Sequence, residues 1–273
     1  MPKLVRVITR LNIGGPAQHV LLLTKHSVLH DFESVLVTGR VDPHEGDMTE
    51  LALRRGCNPL VISSLRNSAG LLADLQSIVR LYRLFRRERP VIADLHLMKA
   101  RVLGCVAARL AGVPMVVETF HGTLFAGYYR PPVGRLLAMI ERVLAHWMDA
   151  VIAVSGAVAQ EIIRNGVAPA GKVHVIPLGL ELQRFVRASS GGGALHKELA
   201  LSGQTPLVGV VGRLAPIKGL EYLIEAVPEV LRALPSARFI IVGDGPERRA
   251  LEARVRQRSL EGQVVFLGWR RDD

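Results

Sequence analysis

Two cysteines in 273 residues, Cys57 and Cys105, supply neither a disulfide framework nor a C-x-x-C pair. A reducing compartment is the simpler reading, and both thiols are expected to be buried and inert. Aromatic residues make up only 5% of the chain, and no DNA- or RNA-reading motif occurs, which weakens any nucleic-acid role. No window approaches the roughly 18 to 20 uninterrupted apolar residues of a membrane span. The N-terminal segment Lys3-Leu4-Val5-Arg6-Val7-Ile8-Thr9-Arg10 has charges among its apolar positions, so it cannot be the apolar core of a secretory signal and reads as a first strand. A soluble or peripheral, cytoplasmic protein is expected. There is no G-x-x-x-x-G-K-[ST] loop, no clean G-x-G-x-x-G fingerprint and no D-x-D, and the nine histidines lack metal-ligand spacing, so no metal site is expected.

Acidic side chains are also scarce: 24 Asp and Glu face 35 Lys and Arg, a formal charge of +11. Such a chain calls for an anionic partner, and with nucleic acid disfavoured the candidates are phosphorylated small molecules and acidic lipid head groups. The run Arg80-Leu81-Tyr82-Arg83-Leu84-Phe85-Arg86-Arg87-Glu88-Arg89 gathers cations at the end of a predicted helix. They either complement the helix dipole or dock on an anionic membrane face.

Hydrophobic residues account for 49% of the chain, and short β-branched runs alternate with longer helical patterns, the sign of repeated βαβ units and parallel sheets. Strands are predicted at residues 4–9, 34–37, 60–62, 91–94, 115–118, 151–154 and 173–176. Helices are predicted at 18–29, 47–55, 70–87, 99–110, 134–146 and 156–165. Together these make a doubly wound domain over residues 1–180. The pattern fails between Glu181 and Gln204, where Ala188-Ser189-Ser190-Gly191-Gly192-Gly193 has linker composition. It resumes over 205–273 with strands at 207–211, 238–242 and 263–267 and helices at 219–233 and 246–256. Doubly wound sheets commonly have five or six strands, so the second domain is expected to be incomplete and the chain a fragment.

In Val208-Gly209-Val210-Val211-Gly212-Arg213-Leu214-Ala215-Pro216-Ile217-Lys218-Gly219 an apolar strand breaks into a glycine-rich turn that displays two cations and then opens a helix. Backbone N–H groups at a helix start attract anions, and an arginine grips phosphate oxygens in a fork. A nucleotide diphosphate is the expected ligand. A second glycine loop, Gly14-Gly15-Pro16, follows strand one at the carboxyl edge where open α/β sheets bind ligands. A plain turn would use the same residues.

Asn12-Ile13-Gly14-Gly15-Pro16-Ala17, Thr119-Phe120-His121-Gly122, Val154-Ser155, Val211-Gly212-Arg213-Leu214 with Lys218-Gly219, Ile241-Val242-Gly243-Asp244-Gly245-Pro246 and Val265-Phe266-Leu267-Gly268 each follow or end a predicted strand. Their order and spacing resemble the family-four retaining glycosyltransferases. The resemblance implies the GT-B fold, two facing Rossmann-like doubly wound parallel-sheet domains, with the nucleotide-sugar donor bound mainly by the second and the acceptor mainly by the first. It implies sugar transfer with retention and without metal or other cofactor, cationic side chains serving the leaving group instead.

Under this resemblance Arg213 and Lys218 bind the donor diphosphate and assist catalysis. His121 stabilises the oxocarbenium-like transition state. Gly14, Gly15 and Gly243 approach the donor, and Gly268, Trp269 and Arg270 lie near its base. Lys99 and Arg101, at the start of the helix after strand four, are candidates for an acceptor phosphate. His96 either assists them or makes a local hydrogen bond. The loop Leu124–Pro132, with Phe125, Tyr128 and Tyr129, covers the acceptor, touches lipid or packs on its own domain. The acceptor is expected to be lipid-linked or a polysaccharide at the inner face of a membrane.

The family's two glutamates beyond the third strand of the second domain have no counterpart in this chain, so it is expected to be inactive alone. A non-catalytic nucleotide-binding or scaffold module is the alternative; it would bind UDP or GDP through Arg213 and leave every donor intact. A nicotinamide-dependent dehydrogenase is disfavoured, because Thr38-Gly39-Arg40 places no ribose-binding acid after the second strand.

Overall fold

The computed structural model describes residues 1–42, 45–68, 70–122, 131–183, 186 and 193–270, without the side chains of 131–138. Phe125, Tyr128 and Tyr129 of the predicted acceptor loop, and most of the glycine-serine linker, lie outside the described residues. The chain divides into two compact units, Met1–Leu180 and Glu181–Asp273.

The first unit is built on a seven-stranded, wholly parallel sheet in the order β3-β2-β1-β4-β5-β6-β7. Its strands are β1 (Lys3–Ile8), β2 (Glu33–Gly39), β3 (Leu60–Ile62), β4 (Ile92–His96), β5 (Met115–Phe120), β6 (Ala150–Ala153) and β7 (Val173–Val175). Helices α1 (Gly15–His26), α2 (Thr49–Arg54), α3 (Leu71–Glu88), α4 (Met98–Ala111), α5 (Pro131–Trp147) and α6 (Gly156–Arg164) make the crossovers. The order reverses between β1 and β4, a topological switch point, and ligands of such sheets bind there, outside the strands' carboxyl ends.

A core containing Val5, Val7, Leu81, Phe85, Leu95, Leu103, Val116 and Met148 packs α3, α4 and α5 on the sheet, while Ile8, Leu11, Val20, Leu21 and Leu36 form a core under α1 and α2. Both cysteines are buried, at 3% and 0% exposure, and burial pushes the Cys105 thiol up to about 12. Neither is a nucleophile at neutral pH.

The second unit carries a parallel sheet in the order β10-β9-β8, from β8 (Leu207–Val211), β9 (Arg238–Val242) and β10 (Val264–Gly268). Helices α8 (Leu220–Ala233) and α9 (Arg248–Gln257) cover it through Ile224, Val227, Leu251 and Val255. A short helix, α7 (Ala194–Glu198), occupies part of the stretch read from sequence as linker.

Candidate functional site

At the carboxyl edge of the first sheet, β4 runs two residues further than the sequence pattern indicated. Ile8 and Thr119 flank His96 in register, so pairing on both sides carries the strand through that residue. His96 thereby becomes a core position, with no exposed surface. The chain then breaks into α4 at Leu97, whose φ of 66° and ψ of 150° are unusual for a bulky residue and cost on the order of 1–3 kcal/mol. Thr9, at the end of β1, accepts the Ala100 amide at 3.0 Å and so satisfies one N-terminal donor of α4.

Asp94, His96 and His121 form a chain of polar contacts. The Asp94 carboxylate takes the Arg6 guanidinium at 2.7 Å and lies 3.0 Å from His96 Nε2, the latter at an oblique angle. His96 Nδ1 meets His121 Nε2 at 2.9 Å. Arg6, 4% exposed, is further held by Thr24 and Ser34. Burial works against the charge on Asp94, but His96 and Arg6 outweigh it and hold the carboxyl far below the usual range.

The carboxylate can only accept, so a proton on His96 Nε2 suits that contact, and the direction of the His96–His121 bond is set by the tautomers of the two rings. The His121 Nδ1 is buried and has no partner among the described residues. Burial first, then His96 and His19, push the His121 ring down to about 3. It is therefore a neutral imidazole at physiological pH.

His19, from α1, completes a cluster whose ring centroids lie 5.2 to 6.1 Å apart. Burial, then His96, lowers it to about 4. Sequence reasoning passed over His19; its position one turn into the helix behind Gly14-Gly15 was the available signal. The three rings offer nitrogens within 4.8 Å of one another and could in principle hold a metal ion. However, the 2.9 Å between His96 and His121 is a hydrogen-bond distance, shorter than the about 3.3 Å that two nitrogens keep on one tetrahedral zinc.

The Gly14-Gly15 loop leads into α1 beside this cluster. A β-carbon at Gly15 would meet nothing within 4 Å, and one at Gly14 only the Pro16 ring. Internal packing does not demand glycine at either position, whereas close approach of a ligand to the backbone would.

Two acceptor candidates have internal partners. Arg101, 3% exposed, lies among carboxylates: it donates to Glu141, lies 3.7 Å from Glu118 and stacks 3.8 Å from the Phe120 ring centroid. In this arrangement its guanidinium is turned inward and is not presented to a phosphate, contrary to the sequence expectation. The reason is periodicity: the fourth residue of α4 falls on the face that packs on β5 and α5. One arginine facing two buried acids leaves Glu118 raised to about 7, chiefly by burial, with Glu141 adding to the rise. His96 is likewise internal, which agrees with the local hydrogen bond weighed for it. Lys99 stays at the surface edge but is ion-paired with Asp74 of α3 at 2.5 and 2.6 Å.

In the second unit Arg213 and Lys218 both lie on the loop from β8 to α8, Arg213 partly buried and Lys218 exposed. Gly219 closes this loop in the left-handed region at φ 59° and starts α8. The Gly243–Gly245 loop packs on the same turn: a β-carbon at Gly243 would lie 2.0 Å from the Gly212 carbonyl, and φ there is 129°. Backbone contact alone thus demands that glycine. Asp244 accepts the Gly245 amide and Arg248, bracing the loop. Gly243 donates to the Gly268 carbonyl at 2.7 Å, which brings the end of β10 to the same sheet edge. Arg270 forms a bidentate pair with Glu198 of α7 at 2.6 and 2.9 Å, and Trp269 is half-buried.

Each unit thus gathers glycine loops and basic or imidazole side chains at the carboxyl edge of a parallel sheet. Comparison with known proteins agrees with this arrangement. Residues 13–184 match the Glycosyltransferase Family 4 model, and residues 205–273 match Glycosyl transferases group 1. The chain is 32% identical over 214 residues to the UDP-Gal:alpha-D-GlcNAc-diphosphoundecaprenol alpha-1,3-galactosyltransferase of Escherichia coli, covering 77% of this chain and 55% of that one. It is 30% identical over 161 residues to a GDP-mannose-dependent alpha-(1-6)-phosphatidylinositol monomannoside mannosyltransferase of Mycobacterium tuberculosis, covering 59% and 40%. The chain thus spans about half the length of the curated relatives it matches.

Among solved structures, Anabaena HepE in complex with UDP superposes with a TM-score of 0.68 at 22% identity, over 99% of this chain and 70% of that one. The sucrose-phosphate synthase of Thermosynechococcus elongatus gives 0.75 at 18%, over 99% and 71%. At these identities the structural likeness speaks for the two-domain GT-B architecture. With the family match covering well over half the sequence, the chain belongs to glycosyltransferase family 4.

Proposed function

We propose that the protein, at the length of its relatives, transfers a sugar with retention from a nucleoside-diphosphate donor to a lipid-linked or polysaccharide acceptor, without a metal, at the cytoplasmic face of a membrane. The observation that carries this reading is the continuity of the family match through both units, with each matched motif lying at a sheet's carboxyl edge.

As the bond from the anomeric carbon to the diphosphate breaks, negative charge grows on the phosphate oxygens and positive charge on the sugar ring. Arg213 and Lys218 serve the first, as fixed cations on a loop whose glycines admit phosphate to the backbone. Removing one such group typically lowers kcat by 10²–10³, about 3–4 kcal/mol. His121 serves the second as a neutral ring whose Nδ1 has no partner among the described residues, oriented by His96, which Asp94 and Arg6 orient in turn. Lys99 is the remaining acceptor-side cation, and its pairing with Asp74 leaves room for exchange to an acceptor phosphate. The 273-residue chain by itself is expected to turn over little donor.

The test is release of nucleoside diphosphate from a panel of UDP- and GDP-sugars, given polyprenyl-diphosphate-linked and soluble saccharide acceptors, with the anomeric configuration of the product read by NMR. Turnover with retained configuration, insensitive to EDTA, is the expected result. A folded protein that binds UDP or GDP through Arg213 and leaves every donor intact would make it a nucleotide-binding module instead.

A further inference from the structure

The outer face of α3 is not accounted for by the core or by the site. Its inner side buries Ser77, Leu81 and Phe85. At 100° per residue, the opposite arc carries Leu71, Tyr82, Leu75, Val79 and Leu72 side by side, exposed at 78, 36, 51, 45 and 77%. Arg86 falls within this apolar stripe, and Arg83, Arg87 and Arg80 run along one flank, all exposed. Arg80 reaches only a serine hydroxyl, and Arg83 and Arg86 make no ion pair among the described residues. Both acids of α3 lie on the inner side, Asp74 paired with Lys99, and Glu88 with Lys3 and with Arg87 at 2.8 Å, so the arginines without an acid are Arg80, Arg83 and Arg86.

The arginine end borders a groove lined by Lys25, Arg55 and Arg87, with Glu88 its acid, and Val28 on its wall. Val28 and its neighbour Leu29 are exposed at 61 and 74%. An exposed apolar stripe with arginines along its flank is the pattern of a helix lying in a membrane interface rather than of one merely solvated.

We infer that α3 and this groove form the surface by which the protein docks on an anionic lipid bilayer, apolar stripe in the head-group boundary and arginines on the lipid phosphates. Charge complementarity selects this occupant: a row of cations with no acid on the arc repels a basic partner and offers a neutral one no reason for the arginines. Placement agrees. Asp74 and Lys99 tie the leucine-rich start of α3 to the start of α4, the carboxyl edge that also holds His96 and His121. Lipid contact therefore falls beside the edge where a lipid-linked acceptor would be used. The inference rests on the proposed acceptor class for its purpose and on surface chemistry alone for its geometry.

The experiment is sedimentation of the full chain with vesicles, with neither donor nor acceptor present. Binding is expected to vesicles of phosphatidylcholine with about one-third phosphatidylglycerol, weakening as salt rises, and to be far weaker with phosphatidylcholine alone. Near an anionic surface each arginine contributes about fivefold to partitioning, so R80Q/R83Q/R86Q lowers it by about a hundredfold. L72S/L75S/V79S also lowers it and leaves a residue of binding that salt removes. R249Q/R256Q/R258Q removes three exposed charges from the second unit and serves as the control, with circular dichroism confirming that each variant is folded.

No binding to anionic vesicles overturns the inference, as does a control that loses as much as the α3 variant. The proposed transferase activity is judged separately. Turnover on a soluble acceptor without vesicle binding sinks the docking surface alone, and vesicle binding without turnover sinks the activity alone.

Discussion

Replacing His96 by alanine tests whether the buried contacts at the end of β4 act on catalysis or only on folding. His96 is the partner of His121 Nε2 at 2.9 Å, and the other nitrogen of His121 has none among the described residues. The substitution leaves the Arg6–Asp94 pair standing and strips His121 of its orienting bond. A lost buried hydrogen bond with an unpaired nitrogen costs about 1–3 kcal/mol, and the vacated ring space adds to that, so urea unfolding should show a loss of about 2–4 kcal/mol. In the protein at its relatives' length, an unmoored His121 should lower kcat by about 10²-fold, the cost of a misplacement of about 1 Å, with KM changed far less. The decisive measurement is the double variant: if His96 acts through His121, H96A/H121A is no slower than H121A alone. Losses that multiply, or an H96A enzyme with wild-type kcat, would refute the chain of influence.

Three other outcomes follow from the same geometry. Arg213→Ala and Lys218→Ala should each lower kcat by 10²–10³, and Lys218→Ala, at an exposed position, should change the unfolding free energy by no more than about 0.5 kcal/mol; retained turnover would remove the diphosphate role. In the buried Arg101 cluster, Arg101→Met should cost about 3–5 kcal/mol by leaving Glu118 and Glu141 without a counter-charge. Glu118→Gln should instead stabilise the fold by about 3 kcal/mol at pH 8, where a carboxyl raised to about 7 is ionised at a cost, and by only about 1 kcal/mol at pH 5; equal effects at both pH values would contradict the shift. Stability should also rise with pH between 4.5 and 6.5. His19 and His121, depressed to about 4 and about 3, contribute stability that is whole above 6.5 and is lost as pH falls. Glu118 runs the other way, its penalty absent below 4.5 and complete above 7. Two protons against one leave at most about 1.4 kcal/mol per pH unit, and urea midpoints that fall from pH 5 to pH 7 would show the sign to be wrong.

The fold was largely legible because its signals are local. β-branched runs such as Leu60–Ile62, Leu207–Val211 and Arg238–Val242 are strands as read, and α3 differs from its expected span by one residue at each end. What sequence could not reach was set by pairing and packing. β4 was expected to stop at Asp94, since His-Leu-Met-Lys has no strand signature; two more rungs on Ile8 and Thr119 carry it to His96. The helix α7 was missed because its five residues sit in a stretch dominated by glycine and serine. Three glycine motifs looked alike in sequence and have different causes. Gly243 is required by backbone contact with Gly212, Gly219 by its left-handed conformation, and Gly15 by neither.

The cations show why charge in a sequence does not by itself locate a site. Arg6, Arg101, Lys99 and Arg83 are equivalent in composition, yet each is fixed by what its element packs against. Arg6 points from the central strand into a buried network, and its worth lies in holding Asp94 beneath His96. Arg101, on the inner face of α4, neutralises acids from β5 and α5. Lys99, two residues earlier, emerges at the sheet edge and meets Asp74. Arg83 lies on a helix face that no described element covers, so solvent or a partner must take its charge. Burying an arginine without a counter-charge costs several kcal/mol, so each inward cation implies a nearby carboxylate, and a sequence scan could have sought it: Asp94 two residues before His96, Glu118 three before His121. Of the outward arginines of α3, Arg87 has such a companion in Glu88; Arg80, Arg83 and Arg86 have none among the described residues, and this asymmetry is the reason to look for their counter-ions outside the chain.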